Sequence, residues 1–513
     1  MKKKIASSSF NFISNLCAFL ITYSISFFLS PYIVKTLGSD AYGFVSLATS
    51  FTNYISLATV ALNSLASRFV SVEIFRGNEE KAQKYYTSVM ISNFVLTTVL
   101  IIPCTVFVVF LERFISIPAG LVMDVKVLFS LIFASFFVSL LSSLFSLATF
   151  VQNRLYLDAL HNAVSAVLRL FLTVLLFVIF PANIVFCGIV TLATNLYVIF
   201  WRKQYMNKYL PQFRIRLEFF DFKKVIELIK AGSWSLVSQI SGLLNTGFDL
   251  LLANQFISSV AMGVLSISST LPSIIQSVLG SVSSAFTPNL TKYYANKQFD
   301  EMTAELKRSI KMMSIVLIVP MAGLTIFGGS FYALWQPTQN ATQLQILSVL
   351  KILCLIFTGS LAVVHEIFTV ANKLKPQAIA TLISGIANIV IVYILLRTTN
   401  WGIYAITGVS SIIAIARNYL FTFLYAAKCV HQKWYTFYLL SLRTFGSYLI
   451  LCALFYVVKR FIYDPDSWVS LIIVCFFCAT LGVLLNLFLM VSKMERKLFL
   501  NKVFGKLKKY DSV

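Results

Sequence analysis

The sequence predicts an all-α integral membrane protein with about fourteen transmembrane helices. Three observations predict this class: 58% of the 513 residues are hydrophobic, only 12% are charged, and the mean hydropathy is +0.83. A soluble domain averages about 45–50% apolar and about 25% charged residues, so this chain has more apolar surface than one water-soluble core buries. The lipid bilayer accommodates that surface, and a backbone that crosses lipid satisfies its hydrogen bonds by being helical.

Apolar runs mark the individual helices, because about 20 apolar residues cross the hydrocarbon core of a bilayer. Fourteen such runs follow one another along the chain, and an even number places both chain ends on the same side of the membrane. The predicted spans are residues 10–30, 43–65, 87–110, 125–148, 161–180, 184–201, 231–256, 262–287, 312–334, 344–371, 377–396, 403–424, 441–458 and 468–491.

The basic residues predict the orientation. If the N-terminus is cytoplasmic, the cytoplasmic segments carry 32 of the 42 Lys and Arg residues, the external segments carry five and the spans carry five. Segments rich in Lys and Arg stay in the cytoplasm, so we expect both termini there. This distribution also accounts for the net charge of +23 without a nucleic acid partner, because the basic residues lie between apolar runs and not on one polar domain.

The chain repeats itself weakly, and the second copy follows the first by a nearly constant shift. Residues 37–46 (LGSDAYGFVS) match residues 257–266 (ISSVAMGVLS), and residues 153–155 (NRL) match residues 372–374 (NKL) ahead of spans 5 and 11. The repeat unit holds six spans, so both copies have the same orientation and are related by an axis along the membrane normal. We therefore predict two six-helix lobes in a pseudo-twofold relation, followed by two additional helices.

The repeat sets the predicted domain bounds. The N-lobe is residues 1–201 and the C-lobe is residues 231–424, with spans 13 and 14 and a basic cytoplasmic tail in residues 425–513. Residues 202–230 join the lobes as a cytoplasmic linker. Within this linker, residues 219–226 (FFDFKKVI) combine apolar and charged groups in the manner of an amphipathic helix that lies on the inner leaflet.

These features resemble a known family. Two six-helix lobes plus two terminal helices is the plan of the Wzx-like oligosaccharide and polysaccharide flippases, whose superfamily includes the MATE multidrug exporters and the lipid II flippase. Residues 31–43 (PYIVKTLGSDAYG) look like the family stretch in which Leu-Gly is followed shortly by Tyr-Gly, and residues 152–154 (QNR) are similar to its loop before helix 5. The resemblance implies a MATE-like fold and transport of an undecaprenyl-diphosphate-linked sugar repeat unit across the bacterial cytoplasmic membrane.

Basic residues inside the spans are the candidate substrate contacts. Arg or Lys at mid-helix costs about 2.5–3.5 kcal/mol, so such residues usually face water or an anion. Arg169 lies near the middle of span 5, Lys351 in the outer part of span 10 and Arg417 in the inner part of span 12. Since the guanidinium fork suits phosphate oxygens, these residues predict a cationic cavity for a diphosphate head. Snorkelling, or an ion pair between Arg417 and Glu366, is the alternative interpretation.

Three further in-span groups are candidates for ion coupling. Asp249 lies in the outer third of span 7, and His365 and Glu366 lie in the inner third of span 10. Binding of a proton or Na⁺ and neutralisation of nearby basic groups are both consistent with their positions. The sequence shows no Ser/His/Asp triad, metal-ligand cluster or P-loop, so we expect no catalytic residue, no metal and no cofactor.

Besides a passive channel or scaffold, two other functions stay open at this point. A MATE-type cation exporter needs a buried carboxylate, and the first six spans have none at mid-depth. A membrane-embedded polysaccharide-processing enzyme, such as a polymerase, typically carries a large external loop, whereas each predicted external loop here has about a dozen residues or fewer. The expected partners are the lipid-linked oligosaccharide and membrane lipids, and the sequence does not decide whether a polysaccharide polymerase also binds.

Overall fold

A computed structural model describes residues 2–371, 373–462 and 464–490, and the regular secondary structure in this part of the chain is helical throughout. Twelve of its helices are long and apolar enough to cross a membrane, and two bent pairs of helices raise the number to fourteen. The prediction of an all-α membrane protein with about fourteen spans is therefore confirmed. The basic tail predicted within residues 492–513 lies outside the described residues.

Contacts between residues divide the chain into two compact units, residues 1–267 and 268–513. The first unit contains twelve helices, the last of which reaches the boundary. They are α1 (Lys2–Leu37), α2 (Ser39–Asn63), α3 (Ala66–Phe75), α4 (Glu79–Val109), α5 (Leu111–Phe114), α6 (Val122–Leu141), α7 (Leu147–Val151), α8 (Leu155–Ile179), α9 (Val185–Tyr209), α10 (Phe222–Gly242), α11 (Asp249–Phe256) and α12 (Ser259–Ser268).

The second unit contains the remaining ten described helices. They are α13 (Thr270–Ser284), α14 (Thr287–Ala295), α15 (Phe299–Trp335), α16 (Ala341–Thr358), α17 (Glu366–Val370), α18 (Leu374–Thr398), α19 (Ile403–Arg417), α20 (Phe423–Cys429), α21 (Thr436–Val457) and α22 (Trp468–Met490). Helices α21 and α22 are the two additional helices that follow the repeat, and both pack against α15.

Polar capping residues set the starts of several spans. The Asn78 side chain accepts a hydrogen bond from the Lys81 amide ahead of α4 (3.3 Å), and the Asp221 side chain accepts one from the Lys223 amide ahead of α10 (2.8 Å). Such caps satisfy amide groups that a helix leaves free in its first turn. Because α4 begins with a charged turn, it starts at residue 79, two turns before the apolar run at residue 87.

The predicted internal repeat is confirmed by the helix bounds. Helices α8 and α18 have both their first and their last residues 219 positions apart, and the same holds for α7 and α17. Helices α4 and α15 begin 220 positions apart. Residues of the first repeat can therefore be paired with residues 219 or 220 positions later in the second repeat.

The helices on either side of the predicted linker extend into it. Helix α9 continues to Tyr209, and α10 begins at Phe222 and runs on through a π-helical stretch, Leu243–Gly247, to a bend of 40° before α11. Helix α10 packs against α2 and α4, so α10 belongs by its contacts to the first unit although the repeat makes it the counterpart of α1. The predicted lobe bounds, and the placement of residues 202–230 on the inner leaflet, stay predictions.

Helices α2 and α12 meet at equivalent positions of the two repeats. A Cβ atom on Gly43 would lie 2.9 Å from Gly263 Cα, and Ser266 Oγ donates a hydrogen bond to Ser46 Oγ (2.5 Å). Gly263 and Ser266 are the repeat equivalents of Gly43 and Ser46. Small residues let membrane helices approach this closely, so this contact depends on the absence of larger side chains.

Candidate functional site

Five basic residues lie within the predicted spans, and four of them have a polar partner in the structure. Such a partner lowers the cost of placing a charge among apolar helices. The partners are Glu112 for Lys126 (2.6 Å), Ser269 for Lys351 (2.8 Å), Ser384 for Arg417 (3.4 Å) and the Leu489 carbonyl for Arg443 (2.5 Å).

Arg169 is the fifth basic residue, and its environment differs. It lies on α8 ten residues before the end of the helix, and its side chain is exposed. Within the part of the chain that the structure describes, its guanidinium has no hydrogen bond and no ion pair, and the Cys187 thiol of α9 is within electrostatic range. An exposed cation without a counter-charge at this depth is suited to binding an anion.

Arg169 belongs to a polar stripe along α8. Asp158, Asn162, Ser165 and Arg169 follow one another at spacings of four, three and four residues, which places them on one side of a helix. We call these four residues the α8 stripe. Asn162 and Arg169 are exposed, and Asp158 and Ser165 are half-buried. Sequence reasoning found Arg169 by its charge and missed the other three, although their helical spacing could have indicated them.

The α8 stripe is separate from the apolar faces of its helix. A buried face packs among the neighbouring helices α1 and α9, and an exposed apolar face carries the side chains that suit contact with lipid. The buried face includes Ala159, Ala163, Ala166 and Thr173, and the exposed apolar face includes Leu160, Val167, Phe171 and Val178. The polar residues of α8 are thus gathered on a third side of the helix, apart from both apolar faces.

Contacts with α9 hold α8 in this rotation. The Asp158 carboxylate pairs with Arg202 (2.9 Å), and the His161 ring stacks on Trp201 at a centroid distance of 4.7 Å. The two ring nitrogens of His161 lie 3.0 Å and 2.8 Å from the hydroxyls of Tyr197 and Tyr205. Because α8 and α9 are fixed at this end, the direction of the α8 stripe is fixed as well.

In the second unit, Arg417 lies where α19 ends and a π-helical stretch, Asn418–Thr422, begins. Short π-helical segments often mark functional sites, because the extra residue leaves the regular ladder and re-aims its neighbours. Arg417 Nη1 donates to Ser384 Oγ on α18 (3.4 Å) and is within electrostatic range of His365. The structure therefore brings together Arg417 and His365, which the sequence suggested separately.

The carboxylate of Glu366 has a different partner from the one considered in the sequence. It accepts a hydrogen bond from Thr287 Oγ1 (2.9 Å), and no ion pair joins it to Arg417 among the described residues. His365 is hydrogen-bonded to Gln377 through Nδ1 (3.2 Å). The cation of Arg417 is thus held by a neutral hydroxyl, so its positive charge is not cancelled by Glu366.

Helix α18 carries the repeat equivalent of the α8 stripe. Gln377, Thr381, Ser384 and Asn388 are the repeat equivalents of Asp158, Asn162, Ser165 and Arg169, under the shift that relates α8 to α18. We call these four residues the α18 stripe. Its members bond within the unit: Gln377 to His365, Ser384 to Arg417, and Asn388 Oδ1 to the hydroxyl of Ser410 (3.2 Å). The α18 stripe is neutral, and Ser384 and Asn388 are buried.

Lys351 lies on α16, one helical turn from Cys354. Its ammonium donates to Ser269 Oγ (2.8 Å). Cys354 in turn is close to Arg417 and lies 3.7 Å from Asn418 Nδ2. Lys351 and Arg417 therefore lie on neighbouring helices of the second unit, and both are near Cys354.

Asp249, the remaining candidate, belongs to the first unit. It is 4% exposed and is the first residue of α11, directly after the bend. Tyr54 of α2 packs beside it, with its hydroxyl donating to the Gly247 carbonyl (2.6 Å) and its ring stacked on Phe248. A carboxyl group is costly to bury in an apolar helix pair, so Asp249 stays a candidate for ion coupling or charge balance. In the described residues, no group of three or more His, Cys, Asp and Glu is placed to hold a metal ion.

The fold defines a class of protein: a repeat-built membrane protein with many spans and a MATE-like fold. Two solved structures share that fold. An inward-facing MATE-family multidrug resistance transporter of the MOP superfamily matches with a TM-score of 0.67 at 16% identity, covering 82% of this chain and 98% of that one. Lipid II flippase MurJ in an inward closed conformation matches with a TM-score of 0.68 at 15% identity, covering 98% of this chain and 100% of that one.

The sequence comparisons identify the family. The profile of the family described as "Polysaccharide biosynthesis protein" matches residues 9–294, more than half of the chain. A curated relative, the uncharacterized membrane protein EpsK of Bacillus subtilis (strain 168), is 31% identical over 500 residues, which are 96% of this chain and 97% of EpsK. The chain therefore belongs to the polysaccharide biosynthesis protein family, and the predicted resemblance is confirmed.

Proposed function

We propose that this protein flips an undecaprenyl-diphosphate-linked oligosaccharide repeat unit from the cytoplasmic to the outer leaflet of the bacterial cytoplasmic membrane. The process serves the biosynthesis of a cell-surface polysaccharide such as capsule, O-antigen, teichoic acid or exopolysaccharide. Family membership supports the pathway, and the MATE-like fold supports transport by alternating access. Both termini lie in the cytoplasm, as the distribution of Lys and Arg predicts.

The observation that carries this proposal is the cation of Arg169 on the exposed α8 stripe, which has no counter-charge among the described residues. A diphosphate brings about two negative charges, and a guanidinium binds two of its oxygens at once. Charge-assisted hydrogen bonds contribute about 1.5–3 kcal/mol each, which offsets the cost of holding Arg169 at mid-span. Asn162 and Ser165, on the same stripe, offer hydrogen bonds to sugar hydroxyls while the prenyl chain stays in lipid.

Arg417 and Lys351 provide the second set of substrate contacts. Both are hydrogen-bonded to hydroxyl groups, so each keeps its positive charge available to an anion. In this proposal Asp249, Glu366 and His365 balance charge or bind a coupling proton or Na⁺. Asp249 is the best placed of the three, because it is buried at a helix bend that a conformational change can open or close.

A flipping assay in proteoliposomes tests the proposal. The reconstituted protein receives a fluorescent polyprenyl-diphosphate oligosaccharide, and a membrane-impermeant quencher reports the label that reaches the other leaflet. We expect wild-type protein to flip the lipid and Arg169→Glu to lose about 100-fold or more, since repulsion replaces two charge-assisted hydrogen bonds. Arg113→Glu is the matched control, because Arg113 is an exposed arginine of the same unit outside the spans.

Wild-type rates in Arg169→Glu, with normal insertion into the membrane, would remove the α8 stripe from the cargo path. The second candidate function is a MATE-type cation exporter, and the buried Asp249 favours it, because a carboxylate suits a cationic drug or a counter-ion. If the wild-type protein fails to flip the lipid but accumulates ethidium under an imposed ion gradient, the exporter replaces the flippase. A membrane-embedded polysaccharide-processing enzyme would instead change the mass of the oligosaccharide, which chromatography of the recovered lipid detects.

A further inference from the structure

A groove with a volume of about 540 Å³ lies between α4 and α6 in the first unit. We call it the α4/α6 groove. Its walls are mostly apolar, and they are interrupted by the hydroxyl groups of Thr97 and Thr105 on α4 and of Ser130 on α6. The residues that define it are Thr97, Cys104 and Thr105 of α4 and Phe133, Ala134 and Val138 of α6.

Thr97 has a buried hydroxyl that nothing in the described chain satisfies. The residue is 5% exposed, and its Oγ1 atom has no hydrogen-bond partner among the described residues. A threonine in a helix usually donates to the carbonyl four residues earlier, as Thr98 does here to Phe94 (3.0 Å). An unsatisfied buried hydroxyl costs about 1–3 kcal/mol. Because the Oγ1 atom itself is buried, a rotation of the Thr97 side chain toward the groove lets an occupant with a hydrogen-bonding group satisfy it.

The depth of Thr97 restricts what that occupant is. It lies near the middle of the predicted span 87–110, and the polar parts of a lipid begin about 15 Å from the bilayer centre. A hydrocarbon chain fills the groove but leaves the hydroxyl unsatisfied. A transmembrane helix carries side-chain hydroxyls and amides at any depth, and small polar side chains join membrane helices to one another.

The second unit shows a helix on the equivalent surface. Helix α21 lies over the seam between α15 and α16, the repeat counterparts of α4 and α6. Its Tyr448 hydroxyl is hydrogen-bonded to Thr325 Oγ1 of α15 (2.8 Å), and its Phe445 ring stacks on Phe357 of α16 at 4.3 Å. Thr325 and Phe357 are the repeat equivalents of Thr105 and Val138, which line the groove.

We propose that the α4/α6 groove binds one transmembrane helix of another membrane protein, seated as α21 is seated in the second unit. The partner helix places a Ser, Thr, Tyr, Asn or Gln side chain at the level of Thr97. Burial of the two equivalent helices fits this assignment, since 56% of the most apolar window of the α15 span is buried but only 17% of that of the α4 span. The proposal does not depend on the identity of the cargo.

Site-specific photo-crosslinking of the full chain in its native host tests the proposal. One variant carries p-benzoyl-phenylalanine in place of Thr105, at the edge of the groove. The control carries it in place of Val99, which is 59% exposed and lies on another side of the same helix. We expect the Thr105 variant to form one adduct with a membrane protein and the Val99 variant to form none with that protein.

Three results together support the proposal. The crosslinked peptide of the partner comes from a transmembrane helix, and a crosslinker placed on that helix forms an adduct with α4 or α6. A substitution that fills the groove reduces the adduct. Ala134→Trp fills the groove, and we expect it to lower the adduct yield about tenfold at unchanged protein level, the loss that one well-packed contact typically causes. If the Thr105 crosslinker labels only lipid, or if Thr105 and Val99 variants label the same proteins, the α4/α6 groove is an ordinary lipid-facing surface and the proposal is wrong.

Discussion

Helices α8 and α18 occupy equivalent positions in the two repeats, yet their polar stripes differ most at the position of Arg169. The α8 stripe carries Asp158 and the exposed cation of Arg169, and half of the stripe is exposed. The α18 stripe has the same spacing, is neutral, and bonds to His365, Arg417 and Ser410 of its own unit. A shared helix framework therefore holds one stripe with an exposed cation and one neutral stripe that is hydrogen-bonded to a neighbouring cation.

The difference indicates a division of roles between the repeats. Asn388 stands in α18 where Arg169 stands in α8, and it is buried and bonded to Ser410. The cation that serves the second unit comes from α19 instead, as Arg417, and α18 only positions it through Ser384. Each repeat thus carries one in-span guanidinium, on a different helix, so the repeat in the backbone is not matched by a repeat in the charges.

The largest effect is expected when the cation is moved from the α8 stripe to the α18 stripe. We expect Arg169→Asn to lower flipping in proteoliposomes about 100-fold, because two charge-assisted hydrogen bonds to the diphosphate are lost. Adding Asn388→Arg to that variant should not restore flipping, since position 388 is buried among bonded side chains. Membrane content and thermal unfolding of each variant control for misfolding. Recovery to near wild-type flipping in a well-folded double variant would show that the two stripes are interchangeable.

The contact between α2 and α12 gives the second prediction, because there equivalent residues of the repeats touch. Ser46 and Ser266 have hydroxyl oxygens 2.5 Å apart, so the pair Ser46→Cys and Ser266→Cys should form a disulfide. If alternating access separates these helices, the oxidised double variant loses flipping about tenfold or more, and a reductant restores it. Each single cysteine variant serves as a control. Full flipping by the quantitatively oxidised protein would mean that this contact stays closed during transport.

A third prediction concerns the two serines at the same stripe position. Ser384 holds Arg417, whereas the hydroxyl of Ser165 makes only a long hydrogen bond to the Thr194 carbonyl (3.4 Å). We expect Ser384→Ala to reduce flipping about threefold to tenfold, the effect of about 1 kcal/mol in the position of one guanidinium. Ser165→Ala should change the rate less than about twofold. Equal effects of the two substitutions would argue against a positioning role for α18.

Much of this architecture could be predicted from the sequence, since apolar runs and loop charges depend on composition. Arg169 could be predicted as well, because an arginine in the middle of an apolar run is conspicuous. The first residues of the helices were harder to predict. Helix α15 begins at Phe299, well before the apolar run at residue 312, because its first turns are charged and extend beyond the hydrophobic segment. Hydropathy does not register such extensions.

Pairings between distant residues could not be predicted from the chain. The sequence offered Glu366 as a partner for Arg417, but the π-helical stretch after α19 accompanies a pairing with Ser384 instead. That the hydroxyl of Thr97 lacks a hydrogen bond could not be predicted either, since this depends on the rotamer of Thr97 and on the space between two helices. The α8 stripe could be predicted in part. Its helical spacing is visible in the sequence, but which of its residues are exposed depends on how α1 and α9 pack against α8.

The smallest expected effect compares Thr325 with its repeat equivalent Thr105. Thr325→Val removes the hydrogen bond to Tyr448 that joins α15 to α21, and hydrogen bonds between membrane helices contribute about 0.6 kcal/mol on average. We therefore expect Thr325→Val to lower the thermal unfolding midpoint of the purified protein slightly, and Thr105→Val, on the uncovered α4/α6 groove, to leave it unchanged. In native membranes, however, Thr105→Val should weaken the crosslink of a partner helix. A loss of stability in the purified Thr105→Val variant that matches the loss in Thr325→Val would mean that Thr105 already has an intramolecular role, and the contrast between the covered and uncovered surfaces would fail.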